Sequence, residues 1–94
     1  MSKNSLQEAI AGNVIRLLRE KRKERGLSMN ELAQRSGLSH SIISLVERDL
    51  RNPSLDTLLR VAEVLDVDLG QVLTQARDTA RKQAKKWPVS GKIF

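Results

Sequence analysis

Residues 29–48 read MNELAQRSGLSHSIISLVER. They spell two short helices joined by a tight turn. Just upstream, Ser28-Met29-Asn30-Glu31 has the form of a capping box: the serine hydroxyl accepts the N–H three residues on, and the glutamate reaches back to the serine N–H. The helix so opened carries Leu32 and Ala33 on one face and stops at Gly37, the residue that takes a positive φ after a helix at least cost. Ser39 then caps a second helix carrying Ile42, Ile43 and Val46. The spacing is more specific than either helix alone: Ala33 lies four residues after Met29, Gly37 eight, Leu38 nine, Ile43 fourteen and Val46 seventeen. A small side chain at Ala33 lets the second helix cross closely. Leu38, Ile43 and Val46 fill the wedge between the two helices, which leaves the outer face of the second free of structural duty.

Around this motif, 94 residues with 39% hydrophobic content support one domain with a modest core. The only aromatic residues are Trp87 and Phe94, both near the C-terminus, so the core is expected to be aliphatic. A formal net charge of +6 favours a polyanionic partner, nucleic acid before a membrane surface. The chain has no cysteine, hence no disulfide framework and no thiolate chemistry. No apolar run approaches a bilayer span and no signal-like leader precedes the first helix, so a soluble cytoplasmic protein is expected.

Along the chain, Ser5-Leu6-Gln7-Glu8 is a second capping box. It is followed by Ile10, Val14, Leu17 and Leu18 at helical spacing, which predicts a helix from Leu6 to Arg25 ending at Gly26. Pro53 closes a loop after the second motif helix. Ser54 caps a helix with Leu55, Leu58, Leu59, Ala62 and Leu65 as its apolar stripe. Asp68 starts a last helix, with Leu69, Val72, Leu73, Ala76 and Ala80 facing inward, that Pro88 ends. The pattern is all-α with five helices. The expected organisation is a helix-turn-helix domain over residues 1–75, with the motif at 29–48, and a C-terminal helix and tail over 76–94 serving as a dimerisation extension.

The motif, together with Val46-Glu47-Arg48, Asn52-Pro53-Ser54-Leu55, Leu58-Leu59 and Ala62-Glu63-Val64-Leu65-Asp66-Val67, resembles the lambda-repressor/Cro-like (XRE-type) helix-turn-helix domains. The resemblance covers about residues 12–73. It implies a five-helix fold of that type and double-stranded DNA as the partner. It places His40 and Ser41 where the first two side chains reach base edges, with Ser44 and Leu45 one turn later. Histidine can donate to or accept from purine N7, serine can do either with any base, and leucine can press on a thymine methyl. Ser28, Met29 and Asn30, at the N-terminus of the first motif helix, form a ready anion site. Together with Ser39, Arg48, Arg51 and Asn52 they make up the expected phosphate contacts. The family usually has glutamine at the position of Met29 and glycine at that of Asp49; Asp49 is expected in the left-handed region, capping or pairing locally. The family also pairs the residue matching Glu47 with an arginine, here Arg22, or Arg19 one turn earlier on the same face. The other helix 1 arginines, such as Arg16, and Arg19 too if unpaired, read as a solvated face.

Enzyme readings fare poorly. There is one histidine, no cysteine, no Gly-rich phosphate loop and no metalloprotease or serine-hydrolase signature, so neither a metal site nor a cofactor is expected, nor a small-molecule ligand. One recognition helix reads too few base pairs for a genome-scale search, so a homodimer on a palindromic site is expected. Leu73, Ala76, Ala80, Gln83 and Trp87 recur at alternating three- and four-residue steps as a short seam for it; the alternative is that this helix caps the core and exposes a basic face. The expected function is a sequence-specific transcriptional regulator acting as a repressor or autoregulator. The rival is a protein-interaction module, antitoxin-like or polymerase-docking, built on the same fold.

Overall fold

The structure, a computed structural model, describes residues 5–85. Within them the chain forms α1 (Leu6–Glu24), α2 (Met29–Ser36), α3 (His40–Glu47), α4 (Leu55–Leu65) and α5 (Leu69–Lys85). No strand occurs among the described residues.

Each helix begins at a side chain that satisfies backbone N–H groups the helix itself cannot. Ser5 Oγ accepts from the Glu8 N–H at 3.2 Å, Ser39 Oγ from Ile42 at 3.1 Å and Ser54 Oγ from Thr57 at 3.1 Å. Asp68 Oδ1 accepts from Gly70 at 2.8 Å. The capping box of α2 is complete: Glu31 N–H donates to Ser28 Oγ at 3.0 Å and Ser28 N–H donates to Glu31 Oε1 at 2.9 Å.

The first four helices also stop in one manner, on a residue in the left-handed region whose successor donates an N–H back across the last turn. At two ends that residue is Gly26 (φ 70°) and Gly37 (φ 76°); at the other two it is Asp49 (φ 59°) and Asp66 (φ 56°). The returning bonds are Leu27 N–H to Arg22 O, Leu38 to Ala33, Leu50 to Leu45 and Val67 to Ala62, all 2.9–3.1 Å. The sequence does not mark the stop at Asp66, because aspartate tolerates this conformation without advertising it. At Gly37 an added Cβ would lie 3.4 Å from Arg60 Nη1 and would hold an L-residue at positive φ. Gly37→Ala is therefore expected to cost about 1–2 kcal/mol, read as a lowered urea midpoint with unchanged m-value.

The core is aliphatic. Val14 and Leu18 of α1, Leu32 and Ala33 of α2, Ile43 of α3, and Val61 and Leu65 of α4 form one buried cluster that also includes Ala76 of α5. Leu65 is wholly inaccessible and Leu32 is 2% exposed. α2 packs on α3 and α4, while α5 lies chiefly along α1. Ala33 is buried, as the close helix crossing requires.

The last helix corrects one expectation. Ala76 and Ala80 are 0% and 1% exposed within a single chain. Asn13 of α1 donates from Nδ2 to the Ala76 carbonyl at 3.2 Å. Small side chains at this spacing let α5 lie close against α1, so Ala76 and Ala80 have no surface left for a partner subunit. α5 is also continuous across residue 75, which joins its second half to the domain core. Leu73 remains 41% exposed. Trp87 lies outside the described residues.

Candidate nucleic-acid interface

Three stretches in and just after the motif carry exposed polar residues: the first turn of α2, the start of α3 and residues 48–52. In α3, Ile43 is buried and Ile42 and Val46 are half-buried, which fixes the inner face. His40 and Ser41 are exposed at its start. Ser44 and Leu45, one turn on, are half-buried, so they project less freely than the sequence suggests. None of the four belongs to the core cluster or to the hydrophobic residues packed against it.

The expected phosphate contacts divide into two sets. Ser28, Asn30, Ser39, Arg48, Arg51 and Asn52 are exposed. Ser28 and Ser39 accept backbone N–H groups as caps, which leaves each hydroxyl proton free to donate to an anion. Met29 differs: its side chain is half-buried and packs against the core cluster, so only its backbone N–H is offered to an anion. That N–H and the Asn30 N–H sit in the first turn of α2, where intrahelical acceptors are lacking and the helix dipole is positive. A thioether suits apolar packing and donates no hydrogen bond, which accounts for the side chain's inward placement.

Glu31 sits in the same turn. Its carboxyl is held below the ordinary glutamate range, first by the Ser28 N–H bond and then by the Ser28 side chain. A depressed carboxyl contributes stability that is present above its unfolded pKa and lost as pH falls through the folded value. Glu31→Gln keeps the box hydrogen-bonded but removes this titration. The drop in Tm on acidification below the normal glutamate range is expected to be smaller in the variant than in the parent chain.

The frame behind the interface is a cluster around Glu47 at the end of α3. Arg22 holds its carboxylate through two parallel bonds, Nε to Oε2 at 2.7 Å and Nη2 to Oε1 at 2.9 Å. Its third nitrogen, Nη1, donates to the Leu27 carbonyl at 2.7 Å. One guanidinium thus joins α1, the turn before α2 and the end of α3. Both side chains of the pair are only 11% exposed. Arg19 is not part of a solvated face: its Nη1 donates to the Glu47 backbone carbonyl at 2.7 Å. The two arginines considered for Glu47 both serve it, one at the carboxylate and one at the helix end. Sequence reasoning misses the second role because a backbone acceptor 28 residues away leaves no mark in side-chain pattern. Arg16 does lie on the surface, paired with Glu20 at 3.1 Å.

Among the described residues no group of histidine, cysteine, aspartate and glutamate side chains could hold a metal ion. No described helix is long and apolar enough to cross a membrane. Every buried side-chain nitrogen or oxygen among the described residues has a hydrogen-bond partner.

The helix-turn-helix family model matches residues 18–72, more than half of the chain. The chain belongs to the XRE-type helix-turn-helix family. It is 40% identical over 63 residues to the HTH-type transcriptional regulator SinR of Bacillus subtilis, a match spanning 66% of this chain and 57% of SinR. It is 35% identical over 74 residues to the uncharacterized HTH-type transcriptional regulator y4dJ of Sinorhizobium fredii, covering 79% of this chain and 91% of that one. A third relative, the immunity repressor protein of Bacillus phage phi105, is 38% identical over 64 residues, 68% of this chain and 44% of the repressor. The chain therefore corresponds to little more than half of SinR. These relatives are named as regulators, not enzymes. No solved structure gives a significant match.

Proposed function

We propose that the chain is a sequence-specific double-stranded DNA-binding regulator of transcription, acting as a repressor by occupying a palindromic operator as a homodimer. The observation that carries this reading is the open face of α3. His40 and Ser41 stand exposed at its start, and Arg48 and Arg51 are exposed just beyond its end. Base-edge contacts come from His40, Ser41, Ser44 and Leu45, and phosphate contacts from the residues around them. The net charge of +6 and the relatives' names, regulators and an immunity repressor, support it.

With Ala76 and Ala80 committed to α1, the two-fold contact is better sought elsewhere. Leu50, Leu55 and Leu59 are 61%, 65% and 52% exposed within ten residues of one another, directly after the recognition helix. Apolar groups placed there suit a second copy seated on the adjacent half-site.

The same leucines favour the second reading, a module that docks on another protein. Salt separates the two. Binding to DNA releases counterions, so affinity should fall steeply, with a log–log slope of about −0.9 for each phosphate contacted. Fluorescence anisotropy with a duplex between about 50 mM and 300 mM salt measures it. A flat salt response would favour protein docking.

Asp49 puts a carboxylate and a strained backbone into the loop proposed to meet phosphate. Asp49→Gly is expected to stabilise the chain by about 0.5–1 kcal/mol and to tighten DNA binding. Urea unfolding and duplex titration read the two effects separately.

A further inference from the structure

The end of α3 is held from outside the motif. A helix leaves its last four carbonyls without intrahelical partners, and in α3 these belong to Ser44, Leu45, Val46 and Glu47. The loop itself takes the first three: Arg48 N–H donates to Ser44 O at 3.0 Å, Leu50 to Leu45 at 2.9 Å and Asp49 to Val46 at 3.0 Å. Among the described residues no backbone N–H returns to the Glu47 carbonyl. Its donor is Arg19 Nη1 of α1, at 2.7 Å. Arg19 is half-buried, and with Ile15, Leu18, Val46 and Leu58 it borders a small apolar cavity of about 20 Å³ between α1, α3 and α4. Its stem thus lies against packed side chains while its head makes one short charge-assisted bond.

We propose that Arg19 is a positioning residue for the DNA contact: by holding the Glu47 carbonyl it sets the direction in which residues 48–51 leave α3, and so where Arg48 and Arg51 meet phosphate. The peptide unit it grips is the one that joins Glu47 to Arg48, and a bonded carbonyl cannot turn without giving up its donor. Two residues on, Asp49 holds φ 59°, a conformation that a residue with a Cβ adopts reluctantly. The turn bonds join the loop only to α3 itself, and residues 48–52 are all exposed. Arg22 is no substitute, because its three nitrogens are committed to the Glu47 carboxylate and the Leu27 carbonyl. Without the tether the loop samples other exits from the helix. A loop in its binding conformation for only part of the time binds with an affinity reduced by that fraction. The effect on affinity rests on the DNA-binding reading above; the hold on the loop does not.

Arg19→Met keeps an apolar stem and removes the donor, whereas Arg19→Lys keeps a donor. In the full chain without DNA, Arg19→Met should speed hydrogen exchange of the Arg48, Asp49 and Leu50 amides about 10-fold, while those of Leu32, Ile43 and Leu65 stay as in the parent. Affinity for any duplex should fall about 10-fold with an unchanged salt slope, because the same phosphates are met once the loop reorders. Arg19→Lys should restore both. If Arg19→Met does not fold, Arg19→Gln is measured in its place. Parent-like exchange at residues 48–50, or parent-like affinity despite faster exchange, overturns the proposal. A salt slope reduced by about 0.9 also overturns it, since Arg19 would then itself contact phosphate. Faster exchange spread evenly over the core amides does the same, marking a general loss of stability. A parent chain that binds no duplex sinks the DNA-binding reading and the affinity half of this proposal, whereas failure of the exchange result alone sinks only the tether.

Discussion

Glu47→Ala is expected to destabilise the chain by about 3–5 kcal/mol, enough to lower Tm by roughly 15–30 °C in a domain this small. The size follows from what is left behind. The Arg22 guanidinium is almost entirely out of water, and the two oxygens of the Glu47 carboxylate sit at 2.7 and 2.9 Å from it. Removing Glu47 strands that charge where solvent reaches it poorly, with only the Leu27 carbonyl as an acceptor. A total stability of about 5–15 kcal/mol is typical of a single domain, so the variant should be partly unfolded at about 37 °C. The double substitution Arg22→Met/Glu47→Leu should recover most of the loss, since an apolar pair of similar volume avoids the desolvation of both charges. A loss below about 1 kcal/mol in the single variant, by urea denaturation, would mean the pair is not the frame described.

The second large effect concerns binding rather than folding. Arg48→Ala and Arg51→Ala should each weaken binding to all duplexes alike and reduce the salt slope by about 0.9, as expected for phosphate contacts. His40→Ala and Ser44→Ala should act in the opposite sense. Affinity for random duplex should change little, while preference for the cognate site falls by about 1–3 kcal/mol for each base-edge interaction removed, or roughly 5- to 150-fold. Both sets lie at exposed or half-buried positions outside the core cluster, so their Tm values should stay near that of the parent chain. Anisotropy titrations against a cognate and a scrambled duplex, at two salt concentrations, distinguish the two kinds of effect.

The contrast between these residues shows which features are legible in sequence. Ser5, Ser28, Ser39, Ser54 and Asp68 can be read as helix starts because a cap acts within three residues, a range that sequence displays directly. Gly26 and Gly37 mark ends for the same reason. Asp66 does not, since the conformation it adopts is set by the returning Val67 bond and the packing of α4 rather than by its own preference. Arg22 is legible as a partner of Glu47 only through family resemblance; no local pattern relates residues 25 apart. Ala76 and Ala80 are legible as an apolar stripe but not as to which neighbour they face. Small residues at three- and four-residue steps fit a subunit seam and a close intramolecular helix packing equally well. The deciding fact is tertiary, the Asn13 bond to the Ala76 carbonyl. Met29 likewise turns inward because the core has room for a flexible thioether.

The most direct test of the claim that the free face of α3 reads base edges is selection from a pool of random duplexes, run in parallel with the parent chain and His40→Ala/Ser44→Ala. The parent should enrich a two-fold symmetric motif with half-sites about one helical turn apart, and the variant should lose the enriched positions while still binding bulk DNA. Failure of the parent chain to enrich any motif, or an identical motif from both proteins, would contradict it.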